Sequence, residues 1–424
     1  MNPKDVLLSS KLVTGFIIGA LMVSVSGCDE LGESYSPYHD EDLESGPQPV
    51  VNEVDPPDGY LAGIEKITIR GENFNPDPDL NRVHFVEYEE EESEKGEVIS
   101  ASEDQLEVRT GDLVSDNIAI RVEVHGADKF SEKFEYELDY AVQRAEGTAT
   151  THEPSAVEVD SEGNLYTAHV DDGSNVGIAR IDTDTEELEI VAEQTTWTYQ
   201  TIRKGPDNGL YMVRPGAIPI IYKVEEGGDD DEPWAMGIPR TDDIDFDENG
   251  YLWGAGENEG EGDDAALIRL DENADAELFP FDADVTALRV YEGRLYAAGS
   301  QDDHLMVWEF DLGGNSEPGS PEVYFDYTGE TAEDDLTLHS MIFSDEGELF
   351  IGTDGDKGIV EVAPGGNEWQ HFYPEVLDPA GNSLSWKPGS EFMYMAQGES
   401  DESDGDLLKI NMLRDGAPQY GRDL

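Results

Sequence analysis

The sequence predicts an all-β protein in which an immunoglobulin-like β-sandwich is followed by a six-bladed β-propeller. Residues 49–140 contain short runs of alternating apolar and polar residues, such as KITIRG and IAIRVEV, separated by turns rich in Pro, Gly, Asn and Asp. About five to seven such strands in about 90 residues suit a two-sheet sandwich. Residues 141–424 repeat one motif six times, first seen as DSEGNLY at residues 160–166. A regular repeat of this kind predicts a ring of similar blades.

The first 27 residues are expected to be a signal peptide rather than part of a folded domain. Lys4 and Lys11 accompany an apolar run, residues 12–25, that is too short to span a membrane comfortably. The run ends in Val-Ser-Gly-Cys, and small residues before a cysteine resemble the lipobox of bacterial lipoproteins. The resemblance implies that Cys28 is lipidated and becomes the new N-terminus; the alternative is an ordinary signal or membrane anchor. Because Cys28 is the only cysteine, no internal disulfide can hold the exported domains.

Residues 28–48 are rich in Asp, Glu, Ser, Gly and Pro and poor in apolar side chains. This composition cannot bury a core, so it predicts a solvated tether. The expected location is therefore the cell envelope, with the protein attached to a bacterial membrane through its N-terminal lipid. Asp29 resembles the inner-membrane retention signal of enterobacterial lipoproteins. Because that rule differs among bacteria, the choice between inner and outer membrane stays open.

Acidic residues outnumber basic residues by 98 to 25, which gives a formal net charge of −73. Nucleic acids and anionic lipids are polyanions, so neither is an expected partner. Adaptation to high salt and binding of divalent cations are the two physical explanations that remain. The acids are spread over nearly every loop, which favours salt adaptation, because a Debye length of about 3 Å at 1 M salt screens their mutual repulsion.

The order of motifs in residues 49–140 resembles the IPT/TIG family. The matching residues of its I-x-G-x-x-F and V-x-F motifs are Ile69, Gly71, Asn73, Phe74, Val83 and Phe85. The acidic run at residues 89–92 departs from the short glycine turn of that family and predicts an enlarged, solvated hairpin loop. IPT/TIG domains are generally spacers or binding modules, so the resemblance implies no catalysis.

The repeated motif of the C-terminal region, which we name the turn motif, carries a glycine at the turn of a hairpin. In each copy an apolar strand ends near an acidic residue or proline, turns at a glycine that tolerates positive φ, and continues into an aromatic-rich strand. The glycines lie 41 to 54 residues apart, the size of a four-stranded blade. They are Gly163, Gly209, Gly250, Gly293, Gly347 and Gly389.

The turn motifs resemble those of NHL-type, regucalcin/gluconolactonase-like and streptogramin-lyase-like propellers, which read D-x-x-G-x-L-[YW]. The resemblance implies a propeller fold but not an activity, since such blades serve enzymes and binding scaffolds alike. Two segments are candidates for the strand that closes the ring: residues 139–151, before the first blade, and residues 418–424, at its end. A seventh, degenerate blade after Gly293 is the alternative to six.

Three residues are candidate site residues. In gluconolactonase-like propellers a glutamate before a proline binds the central divalent metal, and the resemblance places Glu153 in that role. Streptogramin-lyase-like propellers carry a histidine that acts as general acid/base beside a metal, and His339 matches its position at the start of an inner strand. Asp243, next to Asp242, would face the same funnel, where converging carboxylates could hold Ca²⁺ or Mg²⁺. The structural alternatives are a surface glutamate and a hydrogen-bonded inner-strand histidine.

Two further patterns have structural explanations that compete with functional ones. DFDENG, at residues 245–250, spells the opening of a calcium-binding loop but coincides with a turn motif and lacks the glutamate that such a loop needs. Aromatic residues suited to sugar stacking are equally suited to blade cores. They are Trp197, Tyr199, Trp234, Trp253 and Trp386.

The sequence contains no complete catalytic set, since G-x-S-x-G, P-loop, H-E-x-x-H and cysteine metal motifs are absent. The favoured function is therefore binding or scaffolding at the cell envelope, with the propeller face presented to a ligand, a protein or a glycan. The competing hypothesis is a metal-dependent hydrolase or lyase, of the lactonase or streptogramin-lyase kind, acting from the central funnel.

Overall fold

The computed structural model describes residues 46–423 except 58, 88–92, 112, 114–117, 146–153, 172–173, 184, 186, 194–198, 215–218, 228–229, 257–265, 334–335, 356, 375, 378–380 and 398–405. Cys28, Glu153, Trp197 and the acidic run at residues 89–92 lie outside this set, so the predictions made for them remain predictions. The all-β prediction is confirmed: helical structure in the described part is limited to α1 (Tyr327–Thr331) and one 3-10 turn (Pro78–Leu80). No helix there is long and apolar enough to cross a bilayer.

The N-terminal domain is a β-sandwich made from one sheet that folds over itself. Seven antiparallel strands follow the order β1-β3-β6-β5-β4-β7-β8. The fold occurs at β5, whose residues 93–96 pair with β4 and whose residues 97–101 pair with β6. An apolar core fills the space between the two halves. The strands of this domain are β1 (Val50–Asp55), β2 (Tyr60–Leu61), β3 (Lys66–Glu72), β4 (Asn81–Glu87), β5 (Ser93–Ala101), β6 (Gln105–Arg109), β7 (Ile118–Val124), β8 (Phe134–Tyr136) and β9 (Leu138–Asp139).

The I-x-G-x-x-F motif fixes the end of β3 against the core. Ile69 and Phe74 are both buried. A Cβ on Gly71 would lie 2.5 Å from the ring of Phe74 and 1.9 Å from the carbonyl oxygen of Val50, so only glycine fits there. Asn73 adopts a positive φ of 65°, and its side-chain amide donates to a backbone carbonyl.

The C-terminal domain is a propeller of six four-stranded antiparallel blades, which confirms six rather than seven. Each inner strand contacts the inner strands of both neighbouring blades, so the ring is closed around a central channel. The first three blades, from inner to outer strand, are β11 (Val157–Val159), β12 (Asn164–Asp171), β13 (Ser174–Asp182) and β14 (Leu188–Glu193); β15 (Thr201–Lys204), β16 (Leu210–Arg214), β17 (Ile220–Val224) and β18 (Glu232–Met236); and β19 (Asp243–Phe246), β20 (Leu252–Ala255), β21 (Ala266–Leu270) and β22 (Ala276–Pro280).

The last blade takes its outer strand from the other end of the domain. Val142 pairs with Ile410, so the segment before blade 1 closes the ring. The C-terminal residues 418–423 form no strand and lie against the inner strands instead. Blades 4 to 6 are β23 (Asp284–Tyr291), β24 (Arg294–Gln301), β25 (His304–Asp311) and β26 (Glu322–Asp326); β27 (Leu338–Phe343), β28 (Leu349–Thr353), β29 (Ile359–Val362) and β30 (Trp369–His371); and β31 (Gly381–Trp386), β32 (Phe392–Gln397), β33 (Leu407–Asn411) and β10 (Val142–Arg144).

The turn motifs are the hairpins between the inner strand and the second strand of each blade. In blade 3 the carboxylate of Asp247 accepts the backbone N–H groups of Asn249 and Tyr251 and the indole N–H of Trp253. DFDENG therefore forms a strand end and a blade turn. Five of the six motif glycines have positive φ, but in blade 2 the preceding Asn208 takes that conformation (φ 61°), so the expectation for Gly209 was wrong.

The sandwich contacts the propeller at blades 5 and 6. Leu61 is buried, and it belongs with Ile64 to a cluster that includes Tyr373 and Met412 of the propeller. β2 pairs in parallel with β9, the strand that leads directly into β10. The connection between the domains is therefore short.

Candidate functional site

A cavity of about 490 Å³ opens where the six inner strands begin. We name this side of the ring the funnel face, and the opposite side, which carries the turn motifs, the turn face. All ten residues that line the cavity have polar side chains, and every blade contributes at least one. They are Ser155, Gln200, Thr201, Arg240, Asp242, Asp284, Thr286, Thr337, His339 and Asn382.

Glycines in the second strands or just after them allow the start of each inner strand to approach closely. A Cβ on Gly256 would lie 2.4 Å from the carbonyl oxygen of Arg240, and one on Gly299 would lie 1.9 Å from that of Asp284. Any larger residue at these two positions would push the start of the inner strand away. The glycines that follow the aromatic residues of the second strands therefore set the shape of the funnel.

His339 lies at the funnel, as the sequence predicts. Its side chain is 33% exposed, and its Nε2 lies 3.3 Å from a carboxylate oxygen of Asp354, at the end of the second strand of the same blade. The other oxygen of Asp354 accepts the backbone N–H of Thr337 at 2.6 Å. Asp354 thus orients the imidazole, which can exchange hydrogen bonds or protons with a molecule in the funnel.

Asp242 and Arg240 form the part of the funnel wall that belongs to blade 3. The guanidinium Nε of Arg240 lies 3.2 Å from a carboxylate oxygen of Asp242. Gln200 donates its side-chain amide to the backbone carbonyl of Asp242 at 2.9 Å, which links blades 2 and 3. The funnel thus offers cationic, anionic, amide and hydroxyl groups within one cavity.

Asp243 lies beneath the funnel and is almost fully buried. One of its oxygens accepts from Arg203 at 3.0 Å and from the hydroxyl of Thr201. The other accepts the backbone N–H of Leu288 and lies 3.8 Å from Arg289. Asp243 could bind a metal ion only if both arginines were displaced. This placement therefore does not support the predicted role of Asp243 as a metal ligand.

The buried charges continue down the channel as one network. Glu158 lies 4.0 Å from Arg203 and 3.7 Å from Arg422. Asp245 accepts the backbone N–H of Val290 from the neighbouring blade. Arg422 also donates to backbone carbonyls of blades 1 and 6, and it is almost completely buried. Buried ion pairs therefore close the channel beneath the funnel, and the C-terminal residues close its other end.

The sequence analysis missed these channel arginines, although a signal was present. Glu158, Arg203, Asp245 and Arg289 each lie four to six residues before the motif glycine of their blades. A charged residue near the same place on the inner strand, in four repeats, indicates side chains that converge on the channel axis.

Burial shifts the pKa values of three side chains in this network. Loss of water raises the pKa of the Glu158 and Asp245 carboxyls and lowers the pKa of Arg289. Each shift favours the uncharged form, because a low-dielectric surrounding penalises an ion more than its pairing recovers.

We therefore expect the free energy of unfolding to fall as the pH rises from about 4.5 towards neutrality. A carboxyl whose pKa is raised by folding binds its proton more tightly in the folded state, so its contribution is present below the unfolded pKa and is lost above the folded one. Chemical denaturation across this range should show a shallower pH slope for Glu158→Gln than for the natural chain. Glu162→Gln, at an exposed position, is the control. Equal slopes in both variants would contradict the prediction.

No group of three or more His, Cys, Asp or Glu side chains is placed to hold a metal ion anywhere in the described part of the chain. Glu153, one of the two predicted ligands, lies outside that part, so the Ca²⁺ or Mg²⁺ site remains a prediction. Among the described residues, two carboxylates line the funnel cavity, those of Asp242 and Asp284, on adjacent blades.

Comparison with known proteins supports the architecture. Residues 49–137 match the IPT/TIG domain, and no curated protein sequence matches the chain. The fold is similar to an auxiliary nutrient binding protein from Bacteroides thetaiotaomicron, with a TM-score of 0.52 and 13% identity, over 87% of this chain and 99% of that one.

Two other solved structures cover a smaller part of the chain. Regucalcin, a calcium-binding protein from Agrobacterium tumefaciens, matches with a TM-score of 0.51 and 11% identity over 66% of this chain and 97% of its own. A luciferin-regenerating enzyme matches with a TM-score of 0.52 and 13% identity over 67% and 99%. At these identities the similarity shows the shared fold alone, and it confirms the resemblance to regucalcin-like propellers.

Proposed function

We propose that this protein is a lipid-anchored binding protein of a bacterial cell envelope whose funnel holds a small hydrophilic ligand. The observation that carries the proposal is the convergence of ten polar side chains, from all six blades, on one cavity. A binding role of this kind also agrees with the name of the Bacteroides protein of similar fold, an auxiliary nutrient binding protein.

The funnel is a cup rather than a passage. Directly below it, Asp243 and Arg203 form an ion pair that is almost fully buried, and further charges fill the channel as far as Arg422. A molecule that enters from the funnel face therefore meets a closed floor. Concave sites of a few hundred Å³ with precisely placed polar groups are the usual form of small-molecule sites.

The lining groups define the class of ligand. Gln200, Asn382 and the threonine hydroxyls both donate and accept hydrogen bonds, while Arg240, paired with Asp242, offers charge of each sign. The net charge of −73 repels strongly anionic molecules. A neutral or zwitterionic molecule with several hydroxyl, amide or amine groups fits these conditions.

The domain order supports attachment to the envelope. Lipidation of Cys28 would hold the N-terminus at a membrane, and the acidic tether and the sandwich would carry the propeller away from it. The IPT/TIG domain serves as the spacer in this arrangement.

A metal-dependent hydrolase or lyase is the second candidate, and one observation favours it. The pairing of His339 with Asp354 at 3.3 Å resembles the way a carboxylate orients a general base. His339 also shares the cavity with the carboxylates of Asp242 and Asp284. This candidate requires a bound divalent cation, and the thermal unfolding experiment described next detects such binding.

The test is thermal unfolding of the exported form against a panel of sugars, amino acids, polyols, Ca²⁺ and Mg²⁺ at matched ionic strength. A compound at about 100 times its dissociation constant stabilises the folded state by about 2.7 kcal/mol. We expect at least one hydrophilic compound to do so, and a Thr337→Ala, Asn382→Ala variant to lose the effect.

Asn315→Ala, at an exposed turn outside the funnel, is the control and should behave like the natural chain. If no compound stabilises the protein, or if the funnel variant responds as the natural chain does, the proposal is wrong. Saturable stabilisation by a divalent cation that depends on His339 and Asp242 would instead support the enzyme.

A further inference from the structure

The outer strands of blades 1, 2 and 4 each contain a β-bulge at the corresponding place. In each strand one residue is left without a partner between two paired ones, and these residues are Val191, Trp234 and Tyr324. A β-bulge turns a side chain away from the regular alternation of its strand. Each of the three side chains lines a cavity between its own blade and the next.

The cavity between blades 2 and 3 is the largest of these, at about 770 Å³, and it lies on the turn face. Trp234 meets Tyr211 edge to face, with ring centroids 5.0 Å apart. Tyr211 meets Phe246 of the next blade in the same way at 5.1 Å. We name this cavity, with Tyr251 on its blade 3 side, the aromatic groove. Trp234 and Tyr251 are only half-buried, so part of each ring is open to the groove.

The cavity between blades 4 and 5, of about 420 Å³, repeats this arrangement. Tyr324 meets Tyr296 edge to face at 5.2 Å, and Tyr296 lies 4.7 Å from Phe343 of the next blade. The cavity between blades 1 and 2 has Val191 at the bulge and mainly polar walls. The propeller fold therefore does not require an aromatic residue at the bulge, which points to a specific use of Trp234.

Charges in the aromatic groove argue against charged ligands. The ammonium group of Lys223 lies 5.4 Å from the ring centre of Tyr211, and the guanidinium of Arg269, beside the groove, lies 4.6 Å from that of Tyr251. These cations already occupy the places over the π faces that a cationic ligand would take. Asp271 and Glu272 line the groove, and they repel anions.

A neutral ligand with both apolar faces and hydroxyl groups satisfies these conditions. A pyranose ring presents C–H groups that pack on indole and phenol rings, and its hydroxyls can donate to carboxylates such as Asp207 and Asp271, which line the groove. We propose that the aromatic groove binds neutral sugar units of a glycan chain, and that the cavity between blades 4 and 5 is a second, smaller site for the same ligand. Because these sites lie on the turn face, they do not depend on the funnel.

The test is affinity electrophoresis of the full exported chain in gels that contain an uncharged polysaccharide: starch, laminarin, xyloglucan or galactomannan. We expect at least one to retard the protein. Trp234→Ala should weaken that binding about tenfold or more, the effect typical of a tryptophan at the centre of a binding site. Tyr324→Ala should weaken it less, and Trp234→Phe should keep part of it.

Met236→Ala is the matched control, since Met236 lies on the same strand, is 67% exposed and does not line the groove. If Trp234→Ala does not fold, Trp234→Phe and Tyr251→Ala decide in its place, and weaker binding by both supports the proposal. Failure of every polysaccharide to retard the natural chain would overturn it, as would normal binding by the groove variants. Loss of binding in the Thr337→Ala, Asn382→Ala variant alone would move the glycan to the funnel and overturn the groove.

Discussion

Replacing Arg203 with alanine is expected to lower the free energy of unfolding of the propeller by about 3–5 kcal/mol. Arg203 is buried and donates to Asp243 at 3.0 Å, while Glu158 lies 4.0 Å away. Removing the guanidinium takes the hydrogen-bonding partner from the buried carboxylate of Asp243, whose desolvation it no longer offsets. Urea denaturation followed by tryptophan fluorescence would measure the loss.

Arg294→Ala is the matched control, because Arg294 pairs with Glu309 at the surface and is 48% exposed. Exposed pairs contribute about 0–1 kcal/mol, so this variant should stay close to the natural chain. Arg203→Lys keeps the charge but loses the planar fork and should fall between the two. Equal stabilities for the Arg203 and Arg294 variants would show that the channel network does not hold the inner strands together.

Trp386→Ala is expected to lower the free energy of unfolding by a similar amount, about 3–5 kcal/mol. Trp386 is fully buried, and its ring lies 5.5 Å from that of Phe350. Its indole N–H donates to the carbonyl of Ser390 at 2.8 Å. The substitution would leave a large cavity and an acceptor without its partner. Differential scanning calorimetry would report it as a lower transition temperature of the propeller.

Trp369→Ala, on the outer strand of blade 5 where the residue is only half-buried, should destabilise the protein less and serves as the control. The Trp386 variant should also leave glycan binding unchanged wherever it remains folded, since Trp386 lies in the blade core rather than in the aromatic groove. A loss of glycan binding at full stability would contradict the assignment of Trp386 to the blade core and of Trp234 to the glycan site.

The blades could be predicted from the sequence because each turn is specified locally. An acidic residue accepts the N–H groups of its own turn, as Asp160 and Asp247 do, and a glycine or asparagine supplies the positive φ. His339 could be placed at the funnel for the same reason, since its distance from the turn motif fixes its position on the inner strand.

The remaining features depend on contacts between residues far apart in the chain. The closing strand is only three residues long, Val142–Arg144, and its pairing with residues 408–410 leaves no local pattern. The bulge that exposes Trp234 is a one-residue change of register, which an alternating sequence does not reveal. Asp243 was assigned to the funnel because it follows Asp242, but successive strand residues point in different directions, and Asp243 meets the channel arginines instead.

Hydrogen–deuterium exchange of residues 29–424, with and without the most stabilising compound of the panel, tests most directly whether the funnel is the ligand site. We predict slower exchange in peptides that cover residues 200–204, 240–244 and 337–341, where the inner strands of blades 2, 3 and 5 begin. Protection confined to turn-face peptides such as 206–212 and 248–253, or no protection in any peptide, would contradict the account.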